Sequence, residues 1–273
     1  MLRSAALAGE FYPENNKELS GIINKLLDRA NPPKIKGEIF GLLLPHAGYA
    51  YSGQVAAYGF KAIIGKKFDT VIIMGDSHYE RFDGVAVWSE EGFWETPLGK
   101  VMVDKKLTRT VLDSSRRFFR RDSAHLWEHS IEVQLPFLQR ISVKNFKILP
   151  IIFGSENKDW QLLARVIFKN IKNRKVLIIA SADLSHYLSY KEAKDIDEKT
   201  LKNILNLRVS NLNICAIDSV KTLIETTKLL GGKASLLKYA NSGDTAGDKP
   251  PHQNFGGRGK SKVVGYGAIA FYK

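Results

Sequence analysis

A single cysteine, Cys215, is all that the 273 residues contain, which excludes an internal disulfide and fits a reducing compartment. Its setting, "LNICAIDSV", reads as that of an inert buried thiol. No stretch approaches the roughly 18 to 20 continuous apolar residues of a membrane span. The opening "MLRSAALAGEFYP" has an apolar portion shorter than the roughly 7 to 15 residues of a signal-peptide core. A cytoplasmic protein without a membrane partner is therefore expected. Internal repeats, low-complexity tracts and linkers are also missing, so one domain spanning 1–273 is the reading. No G-x-G-x-x-G follows the early strands, and the glycine-rich "NFGGRGK" (254–260) lacks P-loop spacing and reads as a loop. Acidic residues are in deficit, 28 against 41 Lys plus Arg, for a net charge of +13. That excess favours anionic partners in general. The lysines are scattered at the edges of apolar segments, however, so solvated faces explain them better than a nucleic-acid stripe.

What is present is a set of β-branched apolar runs: "IFGLLL" (39–44), "TVIIMG" (70–75), "FKILPIIF" (146–153), "KVLIIAS" (175–181) and "VVGYGAIAFY" (263–272). Such runs suit strands buried on both faces. Helix-forming stretches separate them, among them "SGQVAAYGFKAIIG", with Ser52 as the expected cap and Gly65 as the stop, and residues 129–141, 157–170 and 190–206. The alternation implies an α/β fold with a mostly parallel central sheet flanked by helices on both faces. Residues 84–103 break the pattern and read as a small antiparallel addition. Residues 243–262 read as a loop rich in glycine, proline and lysine.

In an open parallel sheet, ligands bind in the crevice at the carboxyl ends of the strands. Here "IFGLLL" runs into His46, "TVIIMG" into Asp76 and His78, and "KVLIIAS" into Asp183 and His186. Asp76 and Asp183 have a plain alternative as helix caps; the histidines have none so simple. Imidazoles with a carboxylate are ligands for non-haem iron and equally for zinc, copper or manganese. A further histidine nearby suits a general acid or base. A competing pattern is "HLWEH", where His125, Glu128 and His129 match the H-x-x-E-H of inverted zinc peptidases. That motif needs a continuous helix, whereas a cap near Ser130 with Glu132 in the first turn interrupts it. Tyr49 and Tyr51 beside His46 either line the pocket mouth or cover the helix start.

The blocks "RSAALAGEFYP", "LLPHAGYAYSG", "GDSHY", "EHSIEVQLPFLQ", "SADLSHY" and "GYGAIAFY" together resemble the Memo family, also called component B of the AmmeMemoRadiSam gene system. The blocks stand in family order and span nearly the whole chain. The resemblance implies a fold like that of class III extradiol dioxygenases, whose iron is held by two histidines and a carboxylate. It carries the pocket histidines onto His46 and His78, and the aspartate and third histidine onto Asp183 and His186. The family's pocket cysteine falls on Thr245, beside Asp244, a departure that removes a soft ligand and favours iron, zinc or manganese over copper. Animal members look like signalling proteins that bind phosphotyrosine peptides and metal. Prokaryotic members are associated with a radical-SAM protein and an AMMECR1-like protein.

These readings yield two main expectations. One is an oxidoreductase in which His46, His78 and Asp183 or Asp244 bind Fe(II), Asp183 and His186 serve catalysis, and a small organic molecule meets Tyr49, His129, Glu132 and Thr245. The other is a binding module whose pocket takes a peptide or a partner protein of the same gene system. The peptidase is a third.

Overall fold

The apolar runs lie side by side in one sheet. The computed structural model describes residues 1–141, 146–154, 159–172, 174–245 and 261–273. The chain opens with β1 (Leu2–Arg3) and α1 (Asn16–Arg29), then alternates through β2 (Ile39–Leu44), α2 (Tyr49–Ala62) and β3 (Thr70–Asp76). Short segments follow: β4 (Val85–Val87), β5 (Phe93–Thr96), β6 (Gly99–Val103), α3 (Lys105–Ser114) and β7 (Phe118–Arg120). Three helical pieces, α4 (Ser123–Leu126), α5 (His129–Glu132) and α6 (Leu135–Ile141), lead to β8 (Lys147–Phe153) and α7 (Trp160–Ile171). The remainder comprises β9 (Val176–Ser181), β10 (His186–Leu188), α8 (Tyr190–Leu205), α9 (Ile217–Leu229), β11 (Lys233–Asn241), α10 (Ser242–Thr245) and β12 (Val263–Tyr272).

The central strands β8, β3, β9 and β2 are parallel neighbours in that order. This is the α/β arrangement the alternation of runs implies. The run 263–272 joins it antiparallel to β2, with β11 antiparallel on its other side. The expected addition at 84–103 is the β5–β6 hairpin, antiparallel and appended through β6 to β8. Strand β4 stands apart from that hairpin, pairing with β7 and β8.

Successive side chains of a strand point to opposite faces, so a strand buried on both sides feeds two cores. In β3, Val71 and Ile73 enter one cluster with α1 and α2, while Ile72 and Met74 enter the other with α7 and α9. Each such aliphatic side chain contributes about 1.5 to 3 kcal/mol on burial. The two layers fix the strand ends, and with them the side chains that follow.

Local details differ from expectation at two helices. Helix α2 begins at Tyr49 after Gly48, and Ser52 lies inside it with its hydroxyl donating to the Ala47 carbonyl, so Ser52 is not the cap. The stretch 129–141 is two pieces, α5 and α6, and the cap of α5 is Glu128, which accepts from the Ser130 amide at 2.9 Å. The glycine-rich stretch 254–260 and most of the loop 243–262 lie outside the described residues.

Gly75, near the end of β3, is what lets α5 approach. A β-carbon there would lie 2.2 Å from Ser130 Oγ and 2.8 Å from Ser130 Cβ. Gly75→Ala should therefore push α5 away and cost about 1 to 3 kcal/mol by overpacking, measurable as a lower urea midpoint at unchanged m-value.

Candidate metal centre

Three imidazoles converge at the carboxyl edge of the sheet. His46 follows β2, His78 follows β3, and His129 opens α5. One ring nitrogen from each lies within 4.8 Å of the others. The ring centroids are 5.3 Å apart for His46 and His78, 5.1 Å for His46 and His129, and 4.3 Å for His78 and His129.

The surroundings orient these rings. His46 is buried, and its Nδ1 lies 3.1 Å from the Ser181 carbonyl, which can only accept. Nδ1 therefore carries the hydrogen and Nε2 keeps its lone pair. Burial, followed by the neighbouring His78 charge, pulls the His46 pKa down to about 4, so the ring is neutral at physiological pH. His78 meets Glu128 twice: its Nδ1 is 2.9 Å from Oε1 and its amide donates to Oε2 at 2.8 Å. Burial lowers the His78 pKa, but the hydrogen bond and charge of Glu128, with Asp76 and Asp183, outweigh it and raise the pKa to about 9. For Glu128 the balance is reversed: burial alone would raise its pKa, and His78 and His129 hold it far below the usual carboxylate range. Glu128 Oε1 is also 3.4 Å from His129 Nδ1. Burial, then His46, keeps His129 well below the usual imidazole range. A buried carboxylate behind two imidazoles is the arrangement that orients metal-binding histidines and raises their basicity.

The other expected site residues stand further out. Asp183 is buried and accepts from the His46 amide at 2.8 Å, so it organises the β2–α2 turn that presents the ring. Burial pushes its pKa up to about 6, against the pull of His186. His186 is exposed at the start of β10, with Nδ1 2.9 Å from the Leu184 carbonyl, outside the close group of three. Asp244 accepts from Tyr190 Oη at 2.7 Å and the Asn241 amide at 3.0 Å, and Thr245 Oγ1 donates to the Asn241 carbonyl at 3.3 Å. Tyr49 is buried, with its hydroxyl donating to the Val133 carbonyl at 2.7 Å and its ring against Phe137, so it packs in the core.

Glu132, expected at the substrate, is instead a structural anchor. It is fully buried, paired with Arg3 and Tyr12 Oη, and it accepts from the Leu7 amide at 2.9 Å and the Ala6 amide at 3.1 Å. Arg3 also donates to the carbonyls of His125 and Glu128. The amino-terminal segment is thereby pinned across the loop that carries His129, and Phe11 rests 4.8 Å from that ring.

The peptidase pattern fails geometrically. Trp127 and Glu128 interrupt the helix between His125 in α4 and His129 in α5. His125 is fully buried, its ring 5.8 Å from both Trp88 and Trp94. Burial and the Arg3 charge pull its pKa to about 3. An imidazole refused a proton in the folded state, but not in the unfolded one, costs stability as pH falls from 6.5 toward 3. At pH 4 that loss is on the order of 3 kcal/mol. His125→Phe should therefore lose less stability than the parent between pH 6.5 and 4 in urea melts.

Two residues at the centre escape the strand-end rule. His129 was expected to border the crevice, or to bind zinc with His125 in the peptidase pattern, and its signals are that pattern and membership of the "EHSIE" block. Cys215, read as an inert thiol, has its sulfur 3.3 Å from His46 Nε2 and accepts from the Asp183 amide at 3.0 Å. A sulfur thus stands beside the rings although Thr245 occupies the position where the family resemblance places one.

Comparison with known proteins gives the family. A family model described as Memo-like protein matches residues 3–256. The chain belongs to the Memo family. A MEMO1 family protein of Desulfurococcus amylolyticus is 38% identical over 294 residues, covering 99% of each chain. One from Methanosarcina mazei is 36% identical, covering 98% of each. One from Aquifex aeolicus is 36% identical over 90% of this Memo-family chain and 94% of its own. Among the described residues, no helix is long and apolar enough to cross a membrane.

Proposed function

We propose that this Memo-family protein binds a divalent metal ion between His46, His78 and His129, with Fe(II) favoured over zinc, copper and manganese, and acts as a non-haem oxidoreductase on a small organic molecule. The observation that carries the reading is the convergence of three imidazoles, one with its inner nitrogen freed by a carbonyl and one backed by a buried carboxylate. The donor set fits an ion. The three ring nitrogens, all within 4.8 Å of one another, would need only small side-chain adjustments to share one ion. Imidazole suits iron, zinc and copper alike, and the preference for iron rests on the resemblance to extradiol dioxygenases. When bound, Fe(II) would supply Lewis-acid and electron-transfer chemistry. The chain's own part is to hold the rings, keep Glu128 ionised behind them, and offer the exposed His186 as a proton carrier at the rim. Asp183 orders the His46 turn.

A second reading is a binding module for a peptide, or for radical-SAM and AMMECR1-like partners. It is favoured by Trp127 and Tyr79, 67% and 55% exposed, next in sequence to Glu128 and His78. Anaerobic loading with Fe(II), then oxygen with catechols, separates the two: turnover lost in His46→Ala supports the oxidoreductase. A stable partner captured through Trp127, with no turnover, supports the module.

A further inference from the structure

The amino edge of the sheet, opposite the histidines, holds an open-sided cavity of about 860 Å³. It lies beneath the first residues of β2 and β9, Ile39, Phe40 and Val176. Its floor is apolar, with Phe40, Phe68, Phe168 and Leu230. Its rim carries Lys66, Lys67, Lys172 and Lys175. Arg174 also faces it but is held by Asp104, whereas those four lysines form no ion pair among the described residues. Lys172 Nζ stands 4.8 Å over the Phe168 ring, joining rim to floor.

A simpler origin for the lysines is the convergence of helix carboxyl ends. Helices α7 and α9 end at Ile171 and Leu229 on the cavity lining, and α2 ends at Ala62, shortly before the lining residue Gly65. Each end contributes about half a negative charge, and Glu38 on the lining adds one more. Together these offset about two to three of those four lysines, with a fifth, Lys273, also on the lining, and leave the rim positive. The volume falls in the range of small-molecule sites, about 300 to 1,000 Å³, which are largely apolar with a few placed polar groups.

We propose that this cavity binds an amphiphilic organic anion, an apolar chain or ring ending in a carboxylate, sulfonate or phosphate. The aromatic floor gives no counterpart to a bare inorganic anion, and the lysine rim gives none to the head of a neutral lipid. The site shares no residue with the histidine centre and is independent of it.

The test uses the full chain and anilinonaphthalene sulfonate as a fluorescent probe. Saturable binding is expected, displaced by dodecanoate and not by tripolyphosphate or dodecanol at equal concentration. Lys67→Glu with Lys172→Glu should weaken probe and dodecanoate by about tenfold or more, Phe168→Ala should weaken both, and Lys199→Glu with Lys202→Glu should change them by less than about twofold. His46→Ala should bind as the parent does. Near-UV circular dichroism checks folding, and Lys67→Gln with Lys172→Gln replaces the charge-reversed pair if that pair does not fold. Unchanged affinity in the rim variant, displacement by tripolyphosphate alone, or no saturable binding would overturn the proposal.

Discussion

His129→Ala is expected to weaken Co(II) or Fe(II) binding by about a hundredfold or more, and His46→Ala and His78→Ala by as much, because each removes one of three donors. His125→Ala should leave affinity unchanged, since that ring is enclosed by Trp88 and Trp94. Glu128→Gln keeps the shape and removes the charge behind His78, and above pH 9, where His78 has lost its proton in the parent too, it should cost about 10- to 100-fold. The pH dependence follows from the same carboxylate. A ring held protonated up to about pH 9 must lose that proton to the metal. Apparent affinity should therefore rise by about tenfold per unit between pH 7 and 9 and level off above. In Glu128→Gln the rise should shift to lower pH. Titrations by calorimetry in two buffers of different ionisation enthalpy check both the affinity and the released proton.

The second large effect is on stability. Glu132→Ala leaves Arg3 charged and buried, with the Leu7 and Ala6 amides and the Tyr12 hydroxyl deprived of their acceptor. Breaking one side of such a pair costs about 3 to 5 kcal/mol. For a domain of this size that is a fall in Tm on the order of 10 °C. Arg3→Ala should cost a similar amount, because it strands the carboxylate. The double variant Arg3→Met with Glu132→Leu removes both charges and should be more stable than either alanine variant, the non-additivity expected of a shared network. Since Arg3 also holds the carbonyls of His125 and Glu128, the alanine variants should bind metal more weakly as well. Scanning calorimetry with and without metal measures both effects.

The sheet was legible because burial on two faces forces continuous β-branched runs, and "TVIIMGD" and "KVLIIAS" lie where the pattern puts them, parallel and adjacent. His46 and His78 were legible for the same reason: each follows a central strand, and strand ends share an edge. His186 also follows a strand, yet the chain turns after Ser185. Tyr187 adopts φ 60°, β10 pairs with β12, and the imidazole is left exposed. No periodicity announces such a turn. His129 comes from a one-turn helix whose position depends on the long-range pairing of Arg3 with Glu132 and on the missing side chain at Gly75. Contacts between residues 129 and 55 positions apart, Arg3 with Glu132 and Gly75 with Ser130, leave no local signature. Asp183 was recognised as part of the site by its place after β9, but its contact with the His46 amide comes from the turn after β2. Cys215 reaches the rings from the loop before α9, a segment with no motif of its own.

The most direct test is a crystal soaked with Fe(II) in the absence of oxygen and measured at the iron edge. A single anomalous peak about 2.0 to 2.3 Å from one nitrogen each of His46, His78 and His129 is the result expected. A peak bound by other residues, or none at full soak with all three rings ordered, would contradict the account.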